Sequence, residues 1–165
     1  MTAYHTVFGS IDAFEKGHIE IINDKPMHYA FSNMFEVAKI SKPYEMVVVA
    51  KNQHNVIEAV RAEGESPWFT ASHDEFAIAM DGEIEIHFHK AVEDEIVPED
   101  IEGTQINSAA PKGPKMGHVV LHRGHQALLP KGSVYQYRAR HLGVILLQTI
   151  LGANSVEKWA EICYV

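Results

Sequence analysis

The chain has 165 residues, 46% hydrophobic and 22% charged, which fits one globular domain able to bury a substantial core. Its formal net charge of −8 argues against a nucleic-acid partner, because phosphate binding depends on clustered Lys and Arg. A single cysteine (Cys163) rules out an internal disulfide, no apolar run approaches the roughly 20 residues of a membrane span, and the start MTAYHTVFGS lacks a signal-peptide pattern; a soluble cytoplasmic protein is expected.

Residues 1–45 form an arm with scattered aromatics (Tyr4, Phe8, Phe14, Tyr29, Phe31, Phe35, Tyr44) and no clean period. Within it, His18–Ile22 reads as a short strand, and Tyr29–Ile40 as a strand or a helical turn. Such an arm can fold over its own domain or reach to another chain. Its aromatics exceed what one small core must cover, which makes Tyr29, Phe31 and Phe35 interface candidates. Met46–Ala50 is β-branched and reads as a buried strand, whereas Asn55–Arg61 reads as a short helix or an exposed turn.

Two strands follow, joined at Asp81-Gly82, where both positions tolerate positive φ and a hairpin is expected. In the first, Phe76, Ile78 and Met80 form a large apolar face, and Ala77 and Ala79 share the other face with Glu75. In the second, Ile84, Ile86 and Phe88 alternate with Glu83, Glu85, His87 and His89, giving an antiparallel pair with one buried face. Residues 91–117 carry six acidic side chains and then Pro111, Gly113 and Pro114, and read as a long solvated loop, with partner contact as the alternative. His118–His122, Gln126–Leu129 and Val144–Leu151 supply further strands. Asn154 with Glu157 three positions on resembles a capped helix start, so 154–165 reads as a short helical tail carrying Trp159, Ile162 and Tyr164. Many short strands and few helices define an all-β barrel or sandwich over residues 46–153.

Two stretches resemble the halves of the cupin motif: Glu75-Phe-Ala-Ile-Ala-Met-Asp-Gly82 and Gly124-His-Gln-Ala-Leu-Leu-Pro130-Lys-Gly132. The resemblance implies a cupin-type double-stranded β-helix, a jelly-roll barrel. It places the metal-binding H-x-H pair at Trp68 and Thr70 and the last His at Tyr135, so only Glu75 stands at a ligand position. One carboxylate cannot hold Fe(II) against water, and neither a metal site nor a catalytic residue is assigned to this chain. Trp68 and Tyr135 read as fillers of the cavity that a metal and substrate would need. Without a cation, a buried Glu75 needs hydrogen bonds or a proton, and Tyr135 or Thr70 is the expected hydroxyl.

Other candidate ligands are weaker. His87 and His89 share one side of a strand, but it is the side of Glu83 and Glu85, read as a solvated polar face. The spacing of His118, His122 and His125 does not put all three on one strand face, and Cys163 reads as a small buried hydrophobe.

Beyond the motif, the chain is similar to the small subunit of two-component hydroquinone 1,2-dioxygenase. The stretches that carry this are HYAFSNMFEVAKISKPYEMVVVAKNQHNVIEAV, ESPWFTASHDEFAIAMDGEIEIHFHK and GVILLQTILGANSVEKWAEICYV. The resemblance implies ring cleavage of hydroquinone with O2 to 4-hydroxymuconic semialdehyde, in bacterial breakdown of compounds such as 4-nitrophenol. It also implies a heterotetramer of two small and two large chains, with Fe(II) in the large subunit's cupin domain and a small subunit inactive in isolation. Tyr29, Phe31, Phe35, Trp159 and Tyr164 are then the candidates for the subunit interface. Two alternatives are a stand-alone cupin dioxygenase using atypical ligands such as His73 and Glu75, and a small-molecule-binding cupin module.

Overall fold

The structure is a computed structural model that describes residues 9–52 and 54–158. In chain order its main elements are β1 (Ile19–Ile21), β2 (Tyr29–Phe31), α1 (Met34–Ile40), β3 (Met46–Asn52), β4 (Asn55–Glu65), β5 (Trp68–Thr70) and β6 (Glu75–Asp81). There follow β7 (Ile84–Lys90), β8 (Gln105–Asn107), β9 (Lys115–Leu121), β10 (Gln126–Leu129), β11 (Ser133–Ile150) and β12 (Ser155–Val156).

The barrel is organised by β11, whose 18 residues are too long to stay in one flat sheet. Its first half pairs with β5 on one edge and β7 on the other; its second half pairs with β4 and β6. An irregularity between Ala139 and Gly143 bends the strand where it passes from one sheet to the other. Alternation along the second half points Ile145, Leu147 and Thr149 inward.

The hairpin expected at Asp81-Gly82 does not form. β6 and β7 both run antiparallel to β11, so they make one extended path with a corner between them rather than a pair. Gly82 has φ 76, and a Cβ there would lie 2.8 Å from the Cα of Gly143. The dipeptide therefore serves a close crossing of backbones, for which glycine is equally suited. The two faces of β6 divide as the alternation has them: Glu75, Ala77 and Ala79 share the buried face, while Phe76, Ile78 and Met80 are half-buried on the other. Ala77 and Ala79 share one buried cluster with the Tyr135 and Tyr137 rings of β11.

Asn55–Arg61 is neither helix nor exposed turn but most of β4, paired with β3 and β11. Its inward residues are Val56, Glu58, Val60 and Ala62. Ala59, half-buried Ile57 and the outward Val47 and Val49 of β3 meet Phe31 and Val37, so the α1 layer covers this sheet. Asn33 starts α1 by accepting hydrogen bonds from the backbone N–H groups of Phe35 and Glu36.

The 91–117 segment is not simply solvated. It carries β8, which pairs with β5, and the buried Glu95, which accepts from the backbone N–H groups of Val92 and Lys112. The helix expected from Asn154 is absent over the described part of the tail. Ser155–Val156 lies parallel to β3, and the Asn154 side chain donates to the Thr104 carbonyl instead of capping a helix. Lys51 with Glu157 and Lys158 with Glu45, each at 2.8 Å, fasten that segment to the barrel. Trp159, Ile162, Cys163 and Tyr164, like Tyr4 and Phe8, lie outside the described residues.

Candidate functional site: the barrel centre

Glu75 opens β6 with its side chain inside the barrel, 1% exposed. Tyr135 donates its hydroxyl proton to Oε2, and Thr104 and Thr149 donate to Oε1, the latter at 2.8 Å. Because the Thr149 proton is spent on Glu75, its oxygen accepts from Nε2–H of His73, 2.9 Å away. Burial drives the Glu75 pKa up, and the three hydroxyls, with His73, partly offset that rise. Burial and the neighbouring Glu75 hold both the Tyr135 and Tyr137 phenols well above their usual range.

Of the two hydroxyls expected on Glu75, Tyr135 is in place and Thr70 is not. Thr70 is buried, but its oxygen has no hydrogen-bond partner. Trp68 is not a cavity filler. It is half-buried and packs edge-on against His89, with ring centroids 5.3 Å apart. The ring that enters the core from β5 is the adjacent Phe69, packed on Tyr135 and Tyr137 at 5.9 and 6.1 Å.

Three residues of the centre escaped the sequence reading. Thr149 was legible as a polar residue on the inward face of an apolar strand. Glu58 would have been found had Asn55–Arg61 been read as a strand, since alternation places it with Val56 and Val60. Thr104 comes from a loop and gave no local signal. Glu58 is fully buried, and burial pushes its pKa to about 8, a rise only partly opposed by the Ser155 hydroxyl and reinforced by Glu75.

This donor set does not fit Fe(II). Both oxygens of Glu75 are taken by hydroxyl donors, the Tyr135 ring fills the adjoining space, and His73 turns Nε2 to Thr149. Among the described residues no group of three or more His, Cys, Asp or Glu side chains converges to hold a metal. The outer histidines are half-buried or exposed and engaged locally. His87 contacts Glu85 at 2.9 Å and stacks on His118, while Nδ1 of His89 meets the Gly113 carbonyl.

The aromatic interface candidates divide. Tyr29 is completely buried and donates to the Val48 carbonyl, and Phe31 packs within the core against Val37, Val47 and Val49, so this chain itself covers both rings. Phe35 is half-buried beside Ile11, Ala38 and Val144. Trp159 and Tyr164 are outside the described residues.

The two-sheet barrel and its bent, shared strand define a cupin. A cupin-2 domain protein from Shewanella frigidimarina has the same fold with TM-score 0.51 at 19% identity, over 70% of this chain and 89% of that one. No family model matches the chain, and no curated protein does. Among solved structures, hydroquinone 1,2-dioxygenase PnpCD in complex with Cd2+ and 4-hydroxybenzonitrile contains a chain 56% identical, covering 100% of this chain and 99% of that one with TM-score 0.84. Hydroquinone 1,2-dioxygenase from Sphingomonas sp. TTNP3 with 4-hydroxybenzoate bound gives 50% identity, 99% coverage of both chains and TM-score 0.86. The chain belongs to the hydroquinone 1,2-dioxygenase family. A longer chain of PnpCD, in the structure with Fe3+, also shares the fold: 14% identity and TM-score 0.57 over 84% of this chain but 37% of that one.

Proposed function

We propose that this chain is the small, non-metal-binding subunit of a two-component hydroquinone 1,2-dioxygenase, and that Fe(II) is held by a larger cupin-containing partner. The reaction is the opening of hydroquinone with O2 to 4-hydroxymuconic semialdehyde. The observation that carries the reading is a pairing. PnpCD contains one chain matching this one from end to end and a longer chain with the same fold over about a third of its length (37%). The centre described here is consistent with the inactive half of such a pair, since hydroxyls and aromatic rings stand where imidazoles would be needed.

In this role the chain's own residues hold a rigid barrel and offer its surface to the partner. Obligate hetero-interfaces bury about 2,000 Å² or more and are rich in aromatics. Phe35, Trp159 and Tyr164 remain the aromatic candidates for that surface, and the assembly is a heterotetramer of two small and two large chains. The test is expression of the chain alone and together with a longer cupin chain of the kind found in PnpCD. Iron uptake and ring cleavage are expected only from the pair. Stoichiometric iron and hydroquinone cleavage by the single chain would overturn the proposal.

A further inference from the structure

β9 is an edge strand without the protection such strands normally carry. Among the described residues it pairs with β7 alone, and β10, the next strand in the chain, pairs with β6 alone. Each therefore leaves one side of its backbone unpaired. The pairing of β9 with β7 is regular from Gly117 to Leu121. Proteins blunt such edges by keeping them short or by placing charges and proline on them. The edge strands β1 and β8 have three residues each and β10 has four, whereas β9 has seven. Within β9 only Lys115, its first residue, is a full charge, and Met116, Val119 and Val120 are 57%, 40% and 41% exposed.

Beside this edge lies a groove of about 270 Å³, lined by Phe88 of β7, Met116 and Val119 of β9, Leu128 of β10 and the following Pro130. Charge is also segregated here. The chain is acidic overall, with net charge −8, yet no Asp or Glu occurs from Gly103 to Val156, and the turns flanking β9 carry Lys112 and Arg123. The carboxylates that reach these groups come from other segments: Asp94 pairs with Lys112, Asp81 with Arg123, and Glu85 with His87. Lys115 makes no ion pair among the described residues.

These features narrow the occupant. An unpaired strand edge beside an apolar groove suits an extended segment, whose backbone continues the ladder and whose alternate side chains enter the groove. A second copy of this chain fits poorly. Two-fold pairing of β9 with itself, centred on His118, would set Lys112 and Lys115 of one copy beside Arg123 of the other, with no acidic residue on either strand. The basic edge of an acidic chain instead complements a segment that carries carboxylates. We propose that β9 is the docking strand for the larger cupin chain, which adds an extended segment to its outer edge. Apolar side chains of that segment seat over Val119 and Leu128, and acidic ones lie toward Lys115. This inference rests on the subunit reading above and assigns that reading a surface.

The test is hydrogen–deuterium exchange of the chain alone and of its complex with a longer cupin chain of the kind found in PnpCD. Amides of residues 116–121 should exchange at least about tenfold more slowly in the complex, with β8 little changed. Val119→Asp should weaken assembly by about tenfold or more, while Ile106→Asp, at an exposed apolar position on β8, should leave it intact. Should Val119→Asp fail to fold, Met116→Asp serves instead. A stable complex in which β9 exchanges as fast as in the chain alone would overturn the proposal and leave the subunit reading standing. So would undiminished assembly of the β9 variant. Protection of β9 already complete in the chain alone would show that this chain or a second copy covers the edge, and would equally overturn it. Two chains that never associate would defeat the subunit reading itself.

Discussion

Glu58 makes the stability of this barrel depend on pH in a way that one substitution can remove. Its pKa is about 8 in the folded chain, against an ordinary value of 4.5, because burial disfavours the anion. At pH below 4.5 both folded and unfolded chains carry the proton, and the group has no effect on the balance. Between 4.5 and 8 the unfolded chain releases a proton that the folded chain keeps, so stability falls as pH rises, by about 1.4 kcal/mol per unit. Above 8 both states are ionised and the loss is complete. Glu58→Gln keeps the shape and abolishes this titration. Relative to wild type, the variant should therefore gain about 3–4 kcal/mol between pH 5 and pH 8. Urea unfolding of both proteins at pH 5, 6, 7 and 8, at one protein concentration, measures the difference directly. Glu75 titrates in both proteins and cancels in the comparison to first order. Stability curves that run parallel across this range would refute a buried neutral Glu58.

Further predictions follow from the same geometry. Tyr135→Phe removes a hydroxyl donor from a buried carboxylate and should destabilise the chain by about 1.5–3 kcal/mol in urea unfolding, with Thr149→Val acting in the same direction. Gly82→Ala forces a side chain into left-handed backbone within 2.8 Å of the Gly143 Cα and should cost about 1–3 kcal/mol by the same assay. Lys51→Met breaks the ion pair to Glu157 and should speed hydrogen exchange at Ser155 and Val156 without lowering the protection of β11.

Fold class was legible because strand periodicity and the two motif halves agree, and both halves fall on real elements: Glu75 begins β6, and Pro130-Lys-Gly132 leads into β11. Local chemistry misled where tertiary context decides. Asp81-Gly82 has the composition of a hairpin turn, but β11 takes an edge of each flanking strand, leaving the two unpaired with each other. Asn55–Arg61 contains good helix formers, yet Val56, Glu58 and Val60 follow a period of two and are buried between two strands. Asn154 carries a cap signature but is claimed by Thr104 across the barrel mouth. At the centre, the motif register correctly brought Tyr135 to Glu75 but took Trp68 for the inward residue of β5, where the core ring is Phe69. Thr104 could not be foreseen, because nothing local ties a loop threonine to a carboxylate 29 residues earlier.

The central claim is a division of labour between two cupin chains, and the location of iron tests it most directly. Crystals of the two-chain enzyme, measured at the iron absorption edge, should give an anomalous peak within the larger chain and none beside Glu75. A peak of full occupancy at Glu75, with the hydroxyls of Tyr135, Thr104 and Thr149 turned away from it, would contradict the account.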